Sequence, residues 1–394
     1  MRLGIDASNL RGGGSLTHIT ELLRATCPAK HGVSRVVVWG GRELLGRLPA
    51  REWLEAVHEP ALDGRLPRRV LWQRTRLARL AAGAGCDLLL VPGGTYLGGF
   101  RPFVTMSRNM LPFEPAQVRL YGFSPRRLKF LLLRRSQSLT FRRADGIIFL
   151  DDYARSHIVR ALGDLPGPHV IIPHGVAGRF RLAPRAQKAV GDYSPGDPFR
   201  LLYVSAVDAY KHHARVVEAV SELVRRGLPV ALDVVGPAHA GPFKRFRAAV
   251  RRFGAEGYVR YRGAVPHEEL PAVYARADAF VFASSCENLP NALLEAMNAG
   301  LPVACSNLGP MPKILGDGGV YFDPRDAAGM AEALGRLVSS PGLRRACASA
   351  AFERAGRYTW ERCADETFAF LRRVAGAAPL RRVGAAESPE AVNA

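Results

Sequence analysis

The sequence has no run of eighteen apolar residues, so it offers no segment long enough to span a bilayer as a helix. Its six cysteines (Cys27, Cys86, Cys286, Cys305, Cys347 and Cys363) are scattered and never reach a C-x-x-C spacing. That argues against a zinc site and against a disulfide framework, and a reducing cytoplasm is the expectation. The opening Met1-Arg2-Leu3-Gly4-Ile5-Asp6 runs straight into a strand pattern and carries no signal-peptide signature. No zinc-finger, RNA-recognition or helix-turn-helix signature points to nucleic acid. There is no G-x-x-x-x-G-K-S/T loop and no D-x-D acid pair.

Acid is the scarce charge. Asp and Glu number 35 against 55 Lys and Arg, for a formal net charge of +20. Such an excess favours an anionic partner: nucleic acid, an acidic membrane surface or a phosphorylated substrate. An arginine-rich composition with solvated helix faces accounts for part of it. The excess is densest from 119 to 143, where Arg119, Arg126, Arg127, Lys129, Arg134, Arg135, Arg142 and Arg143 interleave with Phe130-Leu131-Leu132-Leu133. The acids nearby are Glu114 and Asp145. This reads as a basic amphipathic segment suited to an anionic membrane surface. It reads equally as a helix half buried in its domain with solvated arginines.

What is present is a repeated alternation of short apolar runs and helical stretches. With 394 residues, 48% apolar and 23% charged, the chain can hold two globular domains. In the first series, strands are expected at 3–7, 35–40, 87–94, 103–107, 146–150 and 170–173, with helices at 16–27 and 71–82. In the second, strands are expected at 201–205, 231–236, 259–263, 279–283, 302–306 and 319–322. Helices separate these, and a long helical region covers 344–370. Residues 1–185 and 199–360 thus read as two doubly wound parallel α/β sheets facing each other. Residues 186–198, rich in Pro, Gly and charge, read as a linker. Residues 361–376 read as a C-terminal helix, with a return onto the first domain as the expectation, and 377–394 as a disordered tail. Ligands of such sheets sit at the carboxyl ends of strands. The loops singled out there are Gly12-Gly13-Gly14, 108–115, His174-Gly175, 206–211 and 287–291, which are expected to converge on one cleft.

The most informative stretch is 284–297, S-S-C-E-N-L-P-N-A-L-L-E-A-M. It follows an apolar run and turns Ala/Leu-rich, giving strand, polar turn and helix start. Pro290 suits the first helical position, and Ser284, Ser285 or Asn288 suits the cap. Free N–H groups and a positive dipole end at that start suit a phosphate. Glu287 lies in the turn. Glu295 lies in an otherwise apolar helix, where a carboxylate needs a partner. A capping acid and a solvated helix acid is the plainer alternative.

With that set of loops in place, the chain resembles the glycosyltransferase family 4 group (glycosyl transferases group 1). These are retaining, metal-independent glycosyltransferases of the GT-B fold, in which two Rossmann-like domains face a cleft. The resemblance runs from Gly4-Ile5-Asp6 to about Phe370. Its strongest part is Glu287-x7-Glu295, followed by Gly318-Gly319-Val320-Tyr321-Phe322-Asp323-Pro324. Tyr203-Val204-Ser205 with Lys211, Pro173-His174-Gly175-Val176 and the early Gly-rich loop support it in the expected order.

The resemblance implies a UDP- or GDP-linked sugar nucleotide as donor substrate, with no metal and no further cofactor. Glu295 would accept the ribose hydroxyls and Glu287 would contact the donor sugar. Backbone amides around Leu289, Asn291 and Ala292 would hold the diphosphate, and Lys211 would neutralise its charge. Gly13 and Gly14 would approach the donor from the first domain, and backbone around Ala264 and Val265 would meet the base. There are two departures from the family pattern. Ala206 stands where many members carry an Arg, leaving Lys211 alone on the phosphates or helped by Lys313 or Arg179. Arg108-Asn109 stands where many carry a His in the acceptor-side loop, so Asn109 or Glu114 would take its part in catalysis, with Arg108 lining the acceptor side. His174 is a further candidate, read rather as a turn residue near the hinge.

The implied function is transfer of a hexose to a hydroxyl of a glycan or polyprenyl-linked acceptor, in cell-surface polysaccharide or lipopolysaccharide synthesis. The expected place is the cytoplasm, peripherally at the inner face of the membrane, with no nucleic acid as partner. The alternatives are a basic, non-catalytic scaffold for nucleic acid or membrane, and a sugar-nucleotide epimerase of the same fold. A phosphorylase is disfavoured because no lysine is placed for a pyridoxal cofactor.

Overall fold

A computed structural model describes residues 1–377 of the chain. The tail expected over 377–394 lies outside the described residues, except for Ala377, which ends the last helix.

Strands β1 (Arg2–Asp6), β2 (Arg35–Gly40), β3 (Leu54–His58), β4 (Leu88–Val91), β5 (Phe103–Ser107), β6 (Gly146–Phe149) and β7 (His169–Ile171) form one sheet. Their order is β3-β2-β1-β4-β5-β6-β7, all parallel. The second sheet holds β8 (Phe199–Val204), β9 (Val230–Val235), β10 (Val259–Gly263), β11 (Ala279–Phe282), β12 (Val303–Ser306) and β13 (Gly319–Phe322). Its order is β10-β9-β8-β11-β12-β13, again parallel. The central strands are near-continuous apolar runs because helices cover both faces: β4, β6 and β11 are buried at every residue. Strand order reverses beside β1 and β4 in the first sheet, and beside β8 and β11 in the second. These are the switch points at which a crevice opens above the carboxyl ends.

Strand β3 was not foreseen from the sequence. It is an edge strand, only half buried, and its Glu55 and His58 break the apolar pattern. The helix expected over 71–82 is two helices, Leu66–Thr75 and Leu77–Gly83, hinged at Arg76. The region 344–370 likewise divides into Pro341–Ala355 and Trp360–Ala377. Thr359 starts the second of these, its Oγ1 accepting from the Arg362 N–H at 3.2 Å.

The helix Trp360–Ala377 crosses back to the first domain. Phe370 and Val374 press on Gly146, where an added Cβ would come within 3.0 and 2.9 Å of them. Asp365 takes Lys30 at 2.5 Å and His31 at 2.9 Å. Burying Phe368, Phe370, Leu371 and Val374 contributes roughly 6–12 kcal/mol as an upper bound, at about 1.5–3 kcal/mol each. The segment 186–198 is held rather than loose. Arg344, fully buried, donates to Gln187 Oε1 at 3.0 Å, to the Leu337 carbonyl at 3.1 Å and to the carbonyls of Val338 and Lys188, and its guanidinium lies 5.1 Å over Phe199.

Candidate active site

The stretch 284–297 leaves the carboxyl end of β11 and enters the helix Asn291–Asn298. Pro290 takes the cap position in an extended conformation (φ −79°, ψ 113°), one residue earlier than the sequence suggested. Among the described residues, no side chain caps this helix. The expected cap residues are engaged elsewhere: Asn288 donates its amide to the Ser107 carbonyl at 2.8 Å, and Ser285 donates to Gln117 Oε1 at 2.6 Å. Both bonds cross to the first domain. The N–H groups at the helix start therefore stay available to a ligand, at the positive end of the dipole.

Glu295 sits one turn into that helix and is buried. Its Oε2 accepts from the Tyr274 hydroxyl at 2.9 Å, and its Oε1 contacts His267 Nε2 at 3.0 Å. Arg179 lies 2.8 Å from His267 Nδ1. An arginine can only donate, so Nδ1 is the acceptor and Nε2 carries the proton given to Glu295. Two of the four lone-pair directions of the carboxylate are thereby filled, and two remain for a ligand's hydroxyls. Burial, and then the Glu295 charge, push the Tyr274 phenol well above its usual range, so it stays a donor.

Glu287 and Lys211 form an ion pair across the cleft floor, with side chains 14% and 10% exposed. Lys211 closes the turn Ala209–Lys211 after β8, where Asp208 accepts from the Ala209 N–H at 2.7 Å and Tyr203 OH donates to the Lys211 carbonyl at 2.8 Å. The proposed helpers of Lys211 are occupied elsewhere: Arg179 by His267 and Glu21, Lys313 by Asp152 at 3.2 Å. Both pairs are partly exposed, with Lys313 at 66% and Arg179 at 34%, and exposed pairs of this kind hold a side chain only weakly.

The opposite wall is built from the loops after β1 and β5. Gly13 (φ 55°) is the N-cap of the helix Gly14–Ala25, in a backbone region that suits glycine. Gly14 comes so close to the second domain that an added Cβ would stand 2.5 Å from Asn291 Nδ2. Arg108 donates to the Gly14 carbonyl at 2.5 Å and to the Ser15 carbonyl at 3.4 Å. Asn109 accepts from the Leu111 N–H at 3.1 Å and so braces its own loop. Glu114 takes a short hydrogen bond from the Tyr153 hydroxyl and lies 3.9 Å from His157 Nδ1. The structure thus brings Gly14 and Arg108 up to Asn291, and turns Asn109 and Glu114 toward partners within their own domain.

Two histidines go beyond the sequence reading. His174, expected as a turn residue near the hinge, is buried; its Nε2 meets the Leu289 carbonyl at 3.0 Å, and its ring stacks on Trp360 at 5.8 Å. His18, on the helix Gly14–Ala25, lies edge-on to His174 at 6.1 Å and to Trp360 at 5.3 Å. Burial, then the Arg108 charge, push His18 well below its usual range. The one sequence signal for His18 was a polar residue among Leu16, Ile19, Leu22 and Leu23.

A cavity of 1140 Å³ lies between the linker and the β9–β10 face, lined by Tyr193, Asp233, Arg260, Arg262 and Arg276. Of the expected donor residues it includes Val265 alone, at its rim. We place the site at the loops instead, because the helix start, Lys211, Glu287 and Glu295 all lie outside this cavity.

Comparison with known proteins identifies the family and the fold. The model of Glycosyltransferase Family 4 matches residues 12–177, and that of Glycosyl transferases group 1 matches residues 188–354. O-antigen chain mannosyltransferase B of Escherichia coli is 27% identical over 236 residues, covering 56% of this chain and 58% of that protein. A GDP-mannose-dependent alpha-(1-6)-phosphatidylinositol monomannoside mannosyltransferase of Mycolicibacterium smegmatis is 31% identical over 218 residues, 52% of this chain and 55% of that protein. The chain thus spans about half the length of the curated relatives it matches. Among solved structures, sucrose-phosphate synthase from Thermosynechococcus elongatus superposes with a TM-score of 0.74 at 18% identity, covering 96% of this chain and all of that one. Anabaena HepE in complex with UDP superposes at 0.67 and 17% identity, covering 94% and 99%. With both halves matched in order, and with the two-sheet architecture of these structures, the chain belongs to the glycosyl transferases group 1, glycosyltransferase family 4, of the GT-B fold.

Proposed function

We propose that the chain moves a hexose from a UDP- or GDP-sugar to a hydroxyl of a glycan or lipid-linked acceptor, with retention and without a metal, in cell-surface polysaccharide synthesis. The observation that carries this reading is the uncapped helix start at Asn291, with Lys211 and Glu287 on the same floor and Gly14 closing over it. The helix N–H groups and Lys211 take the diphosphate and stabilise it as it leaves. Glu295, held by Tyr274 and His267, takes the ribose, and Glu287 faces the sugar. As the glycosidic bond lengthens, the anomeric carbon gains positive charge, and the departing phosphate oxygen takes the acceptor's proton on the same face. The protein's work is charge stabilisation and positioning. Two relatives are mannosyltransferases, one GDP-mannose-dependent by name, so GDP-mannose is the first donor to test. Donor hydrolysis and transfer should fall in both Lys211→Ala and Glu295→Ala. Unchanged turnover in the two variants would remove the assignment, and a changed sugar left on the nucleotide would point to an epimerase.

A peripheral place at the inner face of the membrane belongs to this reading. Among the described residues, six of the exposed large apolar side chains fall in one segment: Leu120, Phe123, Leu128, Leu131, Leu132 and Leu139. Most lie on the helix Pro125–Arg143, whose other side buries Phe130, Thr140 and Phe141 in the domain. The helix therefore has two apolar faces, with arginines between. An apolar stripe edged by cations and free of acid fits an anionic bilayer surface. The same helix joins the donor floor through Arg126, which bonds Asp208 at 2.9 Å, as does Tyr121 just before the helix. Co-sedimentation with vesicles should rise with anionic lipid and fall with salt. Indifference to both would remove the membrane from this account.

A further inference from the structure

A diphosphate asks for a second cation beside Lys211, and Ala206 occupies the place after β8 where one would stand, while Arg179 and Lys313 each already pair with another side chain. One cation on the opposite wall, Arg108, has no counterion among the described residues. Arg108 meets only the carbonyls of Gly14 and Ser15, and its Nε is sealed from solvent with no hydrogen-bond partner. Burial lowers its guanidinium to about 10, opposed only in part by the neighbouring Cys363. A desolvated, unpaired guanidinium is costly and is retained where an anion comes to meet it.

Its surroundings point the same way. The position that a Gly14 Cβ would take is 2.5 Å from Asn291 Nδ2 and 4.0 Å from Arg108 Nη2. The guanidinium thus stands beside the first residue of the uncapped helix, across the domain boundary. Among the described residues, both ring nitrogens of His18, whose charge Arg108 opposes, are buried without partners, as are Ser107 Oγ on the residue before Arg108 and Asn288 Oδ1. The Asn288 amide donates to the Ser107 carbonyl at 2.8 Å, which ties the end of β5, just before Arg108, to the turn before the helix Asn291–Asn298.

We propose that Arg108 is a ligand of the donor's diphosphate, supplied by the first domain to a phosphate held on Lys211 and the start of the helix Asn291–Asn298. This rests on the sugar-nucleotide reading and deepens it. The cation missing at Ala206 is moved to the facing wall, so the diphosphate is clamped between domains rather than seated on one. The planar guanidinium suits the phosphate oxygens through charge-assisted bonds. It also stabilises the charge that grows on the leaving group. Arg108 had been assigned to the acceptor side from the sequence, because its loop replaces a histidine there.

The test is calorimetric titration of the full chain with GDP, UDP, GMP and UMP, in wild type, Arg108→Gln and Arg108→Lys. The Gln variant should weaken nucleoside diphosphate binding by about 10- to 100-fold, as expected for loss of a hydrogen bond to a charged group. Monophosphate binding should change by less than about 3-fold, since the second phosphate carries the contact. The Lys variant should recover part of the loss. In turnover assays KM for the donor should rise and KM for the acceptor should hold. Equal losses for mono- and diphosphates would show a general structural role and overturn the inference. So would unchanged diphosphate binding with a raised acceptor KM, which would place an acceptor anion on Arg108. Wild-type protein that binds no nucleoside diphosphate would instead remove the sugar-nucleotide reading itself.

Discussion

Removing the cation from the Lys211–Glu287 pair tests whether the cleft floor is an energetic unit. In Lys211→Met the carboxylate of Glu287, only 14% exposed, keeps its desolvation and loses its partner. Breaking a buried pair from one side costs about 3–5 kcal/mol, and the remaining exposure to the cleft brings this to about 2–3 kcal/mol. The double variant Lys211→Met/Glu287→Gln removes both charges and should return to within about 1 kcal/mol of wild type. The double variant should therefore be at least about 1 kcal/mol more stable than Lys211→Met alone. Urea unfolding of the full chain measures it, with thermal melts as a second probe. Both variants should lose donor turnover, by about 100- to 1,000-fold, because diphosphate stabilisation goes with Lys211. Stability and activity thus separate: the double variant regains the first and not the second. Equal destabilisation of the single and double variants would refute the pairing argument.

Other outcomes follow from the same contacts. His213, buried against Tyr203 at 4.5 Å, is pushed down to about 3 by burial. It is neutral when folded while the unfolded chain binds its proton, so stability is full above the ordinary 6.5 and falls as pH drops toward about 3. The slope is about 1.4 kcal/mol per pH unit for this group, and His213→Phe should flatten a pH series of urea midpoints; an unaltered slope would contradict the burial argument. Gly14→Val should cut kcat/KM for donor by at least about 10-fold with little change in melting temperature, because the added side chain meets Asn291 across the cleft; unaffected kinetics would mean the walls stand further apart in solution. Arg344→Met should cost about 3 kcal/mol or more by orphaning the carbonyls of Leu337, Val338 and Lys188, read as a lowered urea midpoint; wild-type stability would show that the linker is not pinned there. Phe123→Ser combined with Leu132→Ser should reduce vesicle binding without loss of soluble-donor hydrolysis, and undiminished binding would move the membrane contact elsewhere.

What could be read from the sequence was what local pattern encodes. The parallel strands bury both faces, so β4, β6 and β11 stand out as short apolar runs, and their alternation with helices implies parallel sheets. Glu287 and Glu295 stood out because each interrupts such a pattern. β3 escaped because an edge strand needs only a half-buried face. The break at 356–359 escaped because helix-forming residues flank it on both sides. The walls of the cleft were least legible. Asn288 with Ser107, His174 with Leu289 and Arg126 with Asp208 are joined across long sequence separations, and no spacing rule marks such pairs. The helix Pro125–Arg143 was legible as basic and amphipathic, but its second apolar face became visible only once Phe130 and Phe141 were seen to be buried.

The most direct test of the central claim is whether the wild-type chain binds a sugar donor's nucleotide at the floor formed by Lys211, Asn291 and Glu295. Titration with GDP and UDP should give one saturable site for at least one of them, lost in Lys211→Ala and weakened in Glu295→Ala. No saturable binding of either nucleotide, or binding untouched by both substitutions, would contradict the account.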